Sequence, residues 1–148
     1  MSAIYDKLGV RFIYPEGWKV TEDITNEQPR TISLESPVGG TWELLLYEDG
    51  STPNELAADV LATMKEEYEE VETSPWTSRF DDVSVVGYDM YFYYLDLLIA
   101  CRAVAGKRGS QTALAIWQAE DRTFAELEPV FRAITTCLLN PQKYAAAE

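Results

Sequence analysis

The stretch Gly9–Val20, GVRFIYPEGWKV, holds an alternating strand, a Pro-Gly turn and a tryptophan that opens a second strand. Val10, Phe12 and Tyr14 fall on one side of an extended chain, because successive side chains point to opposite faces. Pro15-Glu16-Gly17 turns the chain, and Trp18-Lys19-Val20 resumes it. Trp18 is expected to pack most of its side chain against the sheet or a helix. Outward from there, Thr25–Pro29 reads as a polar loop. Thr31–Glu35 alternates again, with Ile32 and Leu34 on one face. Pro37-Val38-Gly39-Gly40 signals a hairpin. Trp42–Tyr47 follows as a strand, and its uninterrupted Leu44–Leu46 run predicts cover on both faces.

Thr52-Pro53-Asn54-Glu55 is a helix start. Thr52 can accept from the amide three residues on, Glu55 can reach back, and Pro53 suits the first helical position. The helix carries Leu56, Val60, Met64, Tyr68 and Val71 on one stripe, with Ala57 and Leu61 beside it. Its other face is acidic, with Asp59, Glu66, Glu67, Glu69 and Glu70 against Lys65. Ser74-Pro75 is expected to end this region. Trp76–Phe80, Val83–Tyr94, Leu97–Val104 and Gln111–Ala119 then read as strands joined by short turns, an antiparallel meander. Gly106–Gly109 is taken as one of those turns. Phe124, Leu127, Phe131, Ile134 and Leu138 recur at helical spacing, and Thr123 with Glu126 offers a cap. Pro129 predicts an irregular turn before a helix starting near Glu128, or a kink, and Pro141 a stop. The order is strands, helix, strands, helix, with each helix returning to one antiparallel sheet. That is an α+β domain covering residues 1–148, its ordered core about 9–139 and its tail, 141–148, frayed.

Composition excludes several chemistries. The net charge of −13 repels phosphate backbones and anionic headgroups, so neither nucleic acid nor membrane is expected as a partner. There is no histidine, which removes Ser-His-Asp and Cys-His catalysis and HExxH zinc sites. Cys101 and Cys137 sit among apolar residues outside any metal-ligand spacing and read as small buried hydrophobes. No phosphate-loop or calcium-loop pattern occurs, and no cofactor or metal is expected. MSAIYDKLG lacks the apolar region of a secretory leader, and the apolar run near Tyr91–Ala100 is broken by Asp96. A cytoplasmic location is the expectation.

The motif Val10-x-Phe12-x-Tyr14-Pro15-x-Gly17-Trp18 resembles the opening of the PsbP/Mog1-like superfamily. The closing segment Phe124-x-x-Leu127-x-Pro129-Val130-Phe131-x-x-Ile134 is similar to that of bacterial members, and the resemblance spans Gly9–Leu139. It implies an antiparallel sheet of about six to eight strands with helices on both faces, an α/β/α sandwich. Known branches include a photosystem II extrinsic subunit and a nuclear-transport GTPase-binding protein, and mostly they bind other proteins. The resemblance carries no functional residue over to this chain.

The candidate partner surface is Glu66, Glu67 and Glu70 on the acidic helix face, with Tyr88, Tyr91 and Tyr93 on the tyrosine-rich strand. Clustered acids suit a basic partner, and tyrosine is enriched in recognition surfaces. Alternation places Tyr91 and Tyr93 on one face, and Tyr88, Phe92 and Tyr94 on the other. Glu48-Asp49 and Asp81-Asp82 read as solvated turn acids, and Asp89 as a carboxylate facing solvent, the alternative being a buried carboxylate of raised pKa that could act as a general acid or base. The expected function is a non-enzymatic module that binds a protein. The alternative is a small apolar-ligand binder with a cleft between sheet and helix.

Overall fold

A computed structural model describes residues 1–23 and 27–144. The strands are β1 (Ser2–Lys7), β2 (Val10–Pro15), β3 (Lys19–Asp23), β4 (Arg30–Glu35), β5 (Thr41–Tyr47), β6 (Glu72–Phe80), β7 (Val83–Tyr94), β8 (Leu97–Arg108) and β9 (Gln111–Glu120). The helices are α1 (Pro53–Glu67), α2 (Asp121–Leu139) and the short α3 (Pro141–Tyr144). The polar loop expected at Thr25–Pro29 lies partly outside the described residues.

Seven strands form one antiparallel sheet in the order β3-β4-β5-β9-β8-β7-β6. The group before α1 and the meander after it meet at the β5–β9 seam, where Trp42 pairs with Trp117. The strand expected to join this sheet first, β2, instead pairs with β1 in a separate two-stranded sheet. The Pro-Gly turn makes the switch. Trp18 N donates to Pro15 O at 3.2 Å, and Gly17 takes φ +101, a conformation that suits glycine. β1 precedes the expected ordered core. Only Tyr5 in it is buried, so its alternation is weak in sequence.

The sheet is covered on both faces. On one side α2 and the β1–β2 hairpin enclose a core built on Phe12, Trp42, Trp117, Phe80, Phe131 and Ile134. On the other side α1 packs Leu56, Val60 and Met64 against Met90, Phe92, Leu114 and Ile116. Leu44 and Leu46 face the first core and Leu45 the second, as the unbroken run predicts. Cys101 and Cys137 are unpaired, buried and on opposite faces, with the sheet between them. Burial pushes the Cys101 thiol up to about 12. Trp18 is only partly buried and meets Phe131 edge-on at 5.9 Å, less enclosure than its position in sequence suggests.

Element ends differ from expectation where a local signal has two readings. Pro75 does not terminate a helix. It lies inside β6, the free edge of the sheet, where a missing N–H breaks no ladder. Gly106 belongs to β8, and a Cβ on it would lie 3.0 Å from Val85 Cγ1. The turn falls at Gly109 (φ +60) instead. α2 begins at Asp121, capped by the Glu120 carboxylate on Arg122 N rather than by Thr123. It continues through Pro129 to Leu139.

The chain expected to fray beyond Pro141 is tied down as far as Tyr144. Its hydroxyl donates to Asp81 at 2.5 Å, and its carbonyl accepts from Arg11 at 3.1 Å. Asp81 is therefore a latch and not a solvated turn acid. The hydrogen bond from Tyr144 and the nearby Lys143 hold its carboxyl below the ordinary range.

Candidate interaction surface

α1 carries its acids outward because its apolar stripe is committed to the sheet. The capping box forms as read, with Glu55 N on Thr52 Oγ1 at 3.2 Å and Thr52 N on Glu55 Oε1 at 3.3 Å. The helix stops at Glu67, and Tyr68 is already extended, its amide closing on Met64 O at 3.0 Å. Tyr68 continues the apolar stripe from outside the helix, stacking on Phe92 with ring centroids 4.0 Å apart. Burial, then the neighbouring Glu67 charge, raises its phenol pKa. Glu66, Glu67, Glu69 and Glu70 are all exposed.

Tyr91 and Tyr93 share the face that carries α2, opposite Ala100 and Leu98 of β8. They are 37% and 71% exposed, so the far end of the strand is surface on that side. Tyr88 is different. It lies on the α1 face, half-buried in the second core, and is not part of an exposed patch.

The chain segment after α1 brings the two predicted groups together. Glu70, Glu72, Tyr91, Phe92, Tyr93 and Leu98 line a groove of about 290 Å³. A neighbouring groove of about 320 Å³ is lined by Glu67, Tyr68, Glu69, Glu70 and Tyr93. Glu67, Glu70, Tyr91 and Tyr93 therefore converge. Glu66 is exposed but lines neither groove, and Tyr88 is turned away. Glu69, from the predicted acidic face, and Glu72, which no sequence pattern marks, extend the predicted partner surface. The β6–β7 register that sets Glu72 opposite Tyr91 is a long-range fact.

Asp89 does not face solvent. Its Oδ1 accepts from Arg102 Nε at 2.6 Å, in a pair that is largely enclosed. The Arg102 guanidinium lies 4.3 Å from the Trp76 ring centroid and 5.5 Å from that of Trp117. Arg102 Nη1 is buried without a hydrogen bond, and Glu128 stands 3.8 Å away, an ion-pair distance too long for a hydrogen bond. This cluster stitches β7, β8, β6 and α2 together and commits the Asp89 carboxylate. Sequence did carry a signal for it. Arg102 interrupts an apolar strand, and Asp89 and Arg102 stand equally far from the Leu95-Asp96 turn.

The architecture is a PsbP-like fold. Cyanobacterial PsbP (CyanoP) from Synechocystis sp. PCC 6803 has it with a TM-score of 0.65 at 10% identity, over 91% of this chain and 89% of that one. PA94 from Pseudomonas aeruginosa, a protein of unknown function, is similar with a TM-score of 0.53 at 10% identity, over 93% of this chain and 95% of that one. Identity at this level speaks for the fold alone. No family model matches the chain, and no curated protein matches it in sequence. Among the described residues no helix is long and apolar enough to cross a membrane.

Proposed function

We propose that the chain is a non-enzymatic, cytoplasmic module that binds a protein partner with a basic face. The observation that carries this reading is the convergence of Glu67 and Glu70 with Tyr91 and Tyr93 on one exposed surface from two separate elements. Clustered carboxylates steer a basic partner, and rigid tyrosines supply contact area at little entropic cost. The apolar-ligand reading has weaker support. The groove between α1 and the sheet, lined by Leu45, Leu56, Val60, Met64 and Ile116, measures about 230 Å³. Small-molecule sites run from about 300 to 1,000 Å³.

The test is affinity capture from native lysate with the wild type and with Glu66, Glu67 and Glu70 all changed to lysine. The interaction should be lost in the variant. It should also weaken as salt shortens the Debye length to about 10 Å at 0.1 M. All three positions are exposed, so the fold should survive. A captured protein that ignores both salt and the triple variant would overturn the proposal.

A further inference from the structure

We infer that the β7–β8 hairpin tip is the anchor of this surface and seats in an apolar depression with a basic rim on a protein partner. The inference rests on the protein-binding reading above and names where on the molecule it happens. Tyr93, Tyr94, Leu95 and Leu97 are 71%, 54%, 79% and 51% exposed, so four consecutive apolar contributors, interrupted only by Asp96, crowd one tip. Tyr93 lies on one face of the hairpin and Tyr94 with its cross-strand neighbour Leu97 on the other, so the tip is apolar on both faces, and exposed apolar surface rimmed by polar groups marks interaction sites.

The tip is also built against local preference. Leu95 and Asp96 take φ of +51 and +65, the left-handed conformation at both central positions of a two-residue hairpin turn. Asn-Gly is the sequence that suits such a turn, and leucine is a poor occupant. Leu95 gains nothing from the fold in return, since its side chain is in water. Leu8 shares this conformation and exposure, with φ +50, but only at Leu95 does it coincide with exposed Tyr93, Tyr94 and Leu97, and that coincidence points to an occupant outside the chain.

Charge selects the occupant. Glu67, Glu69, Glu70 and Glu72 line the grooves that Tyr93 borders, Asp96 stands in the turn itself, and among the described residues none of the five has a salt-bridge partner. A molecule of net charge −13 with these acids at its contact face is repelled by anionic lipid. The complementary occupant is a protein segment that offers apolar side chains to Tyr93, Leu95 and Leu97, and lysine or arginine to Glu70 and Glu72.

The experiment is a chemical-shift titration of the isotope-labelled chain with a short alternating Leu/Lys peptide. A Leu/Glu peptide and vesicles of phosphatidylcholine and of phosphatidylglycerol serve as the other arms. The Leu/Lys peptide should move the resonances of Tyr93, Leu95, Leu97, Glu70 and Glu72, and the other probes should not. Leu95→Asn suits the turn better, so its unfolding midpoint should hold or rise while the peptide binds at least about tenfold more weakly. Glu70→Gln with Glu72→Gln should weaken binding and flatten its salt dependence.

Peptide shifts that map elsewhere, wild-type affinity in Leu95→Asn, or binding of either vesicle would each overturn the inference. If the tip variants have no effect while capture from lysate still depends on Glu66, Glu67 and Glu70, the protein-binding reading stands and the tip falls. If the charge-reversed protein retains its partner, the reading itself falls.

Discussion

One hydroxyl organises the centre of the larger core. Thr135 Oγ1 accepts from the indole N–H of Trp42 at 2.9 Å and of Trp117 at 3.1 Å, and donates to Phe131 O at 2.8 Å. Both tryptophans are fully enclosed, so neither N–H has water as an alternative. Thr135→Val keeps the shape and strands two buried donors. At about 1–3 kcal/mol for each stranded donor, unfolding by urea should show a loss of about 2–6 kcal/mol, while Thr135→Ser, which keeps the hydroxyl, should lose much less. Equal losses in the two variants would show that the methyl group matters and the hydrogen bonds do not. Nothing in the spacing of Ile134-Thr135-Thr136-Cys137 announces this role. It arises from the pairing of Trp42 with Trp117 beneath α2, and so from three distant segments. The sharing of one face by Tyr91 and Tyr93 was legible, because alternation along a strand is local. The burial of Tyr88 was not, because it depends on where α1 comes to rest.

At the scale of elements, features set by neighbours in sequence were readable and those set by partners were not. The start of α1 is written in Thr52, Pro53 and Glu55, and β7 was legible to the residue from its run of Val and Tyr. β6 was cut short because Pro75 looks like a terminator until the strand is known to lie at a sheet edge. α2 was cut short because Pro129 looks like a break. Yet the helix passes through it, held on both sides by Phe124 and Phe131, whose rings are 5.9 Å apart. Packing has overridden propensity there, and the cost remains. Pro129 lacks the N–H that would close on Ala125 O, and its own side chain is exposed. Pro129→Ala should therefore raise stability by about 1–3 kcal/mol in a denaturant titration. An unchanged or lowered midpoint would mean that Pro129 itself is needed to fit α2 to the β1–β2 hairpin, where Pro129 and Val130 meet Ile13 and Tyr14 across a shallow groove.

The whole molecule is dominated by its charge. Acidic residues number 25 against 12 basic ones, and several of the basic side chains are spent inside the structure. Arg102 lies against Asp89 and the Trp76 ring, while Arg30 and Arg108 donate to carbonyls of the Lys7–Gly9 turn. The surface is left more acidic than the composition implies, and the end of α1 with the segment after it crowds Glu66, Glu67, Glu69 and Glu70, all exposed, into five residues. Self-repulsion of this kind weakens the compact state and is relieved by screening. Added sodium chloride should accordingly raise the urea midpoint from low ionic strength to a few tenths molar, where the Debye length falls below about 8 Å. The same salt should weaken the attraction of a basic partner for Glu67, Glu70 and Glu72. The fold and the interaction must then respond to salt with opposite signs, and the Glu66, Glu67 and Glu70 to lysine variant should show a smaller salt gain in stability together with no binding to lose. If salt left the urea midpoint of the wild type unchanged, the acidic surface would carry no net repulsion, and its unpaired carboxylates would need another explanation than a standing cost offset by a partner.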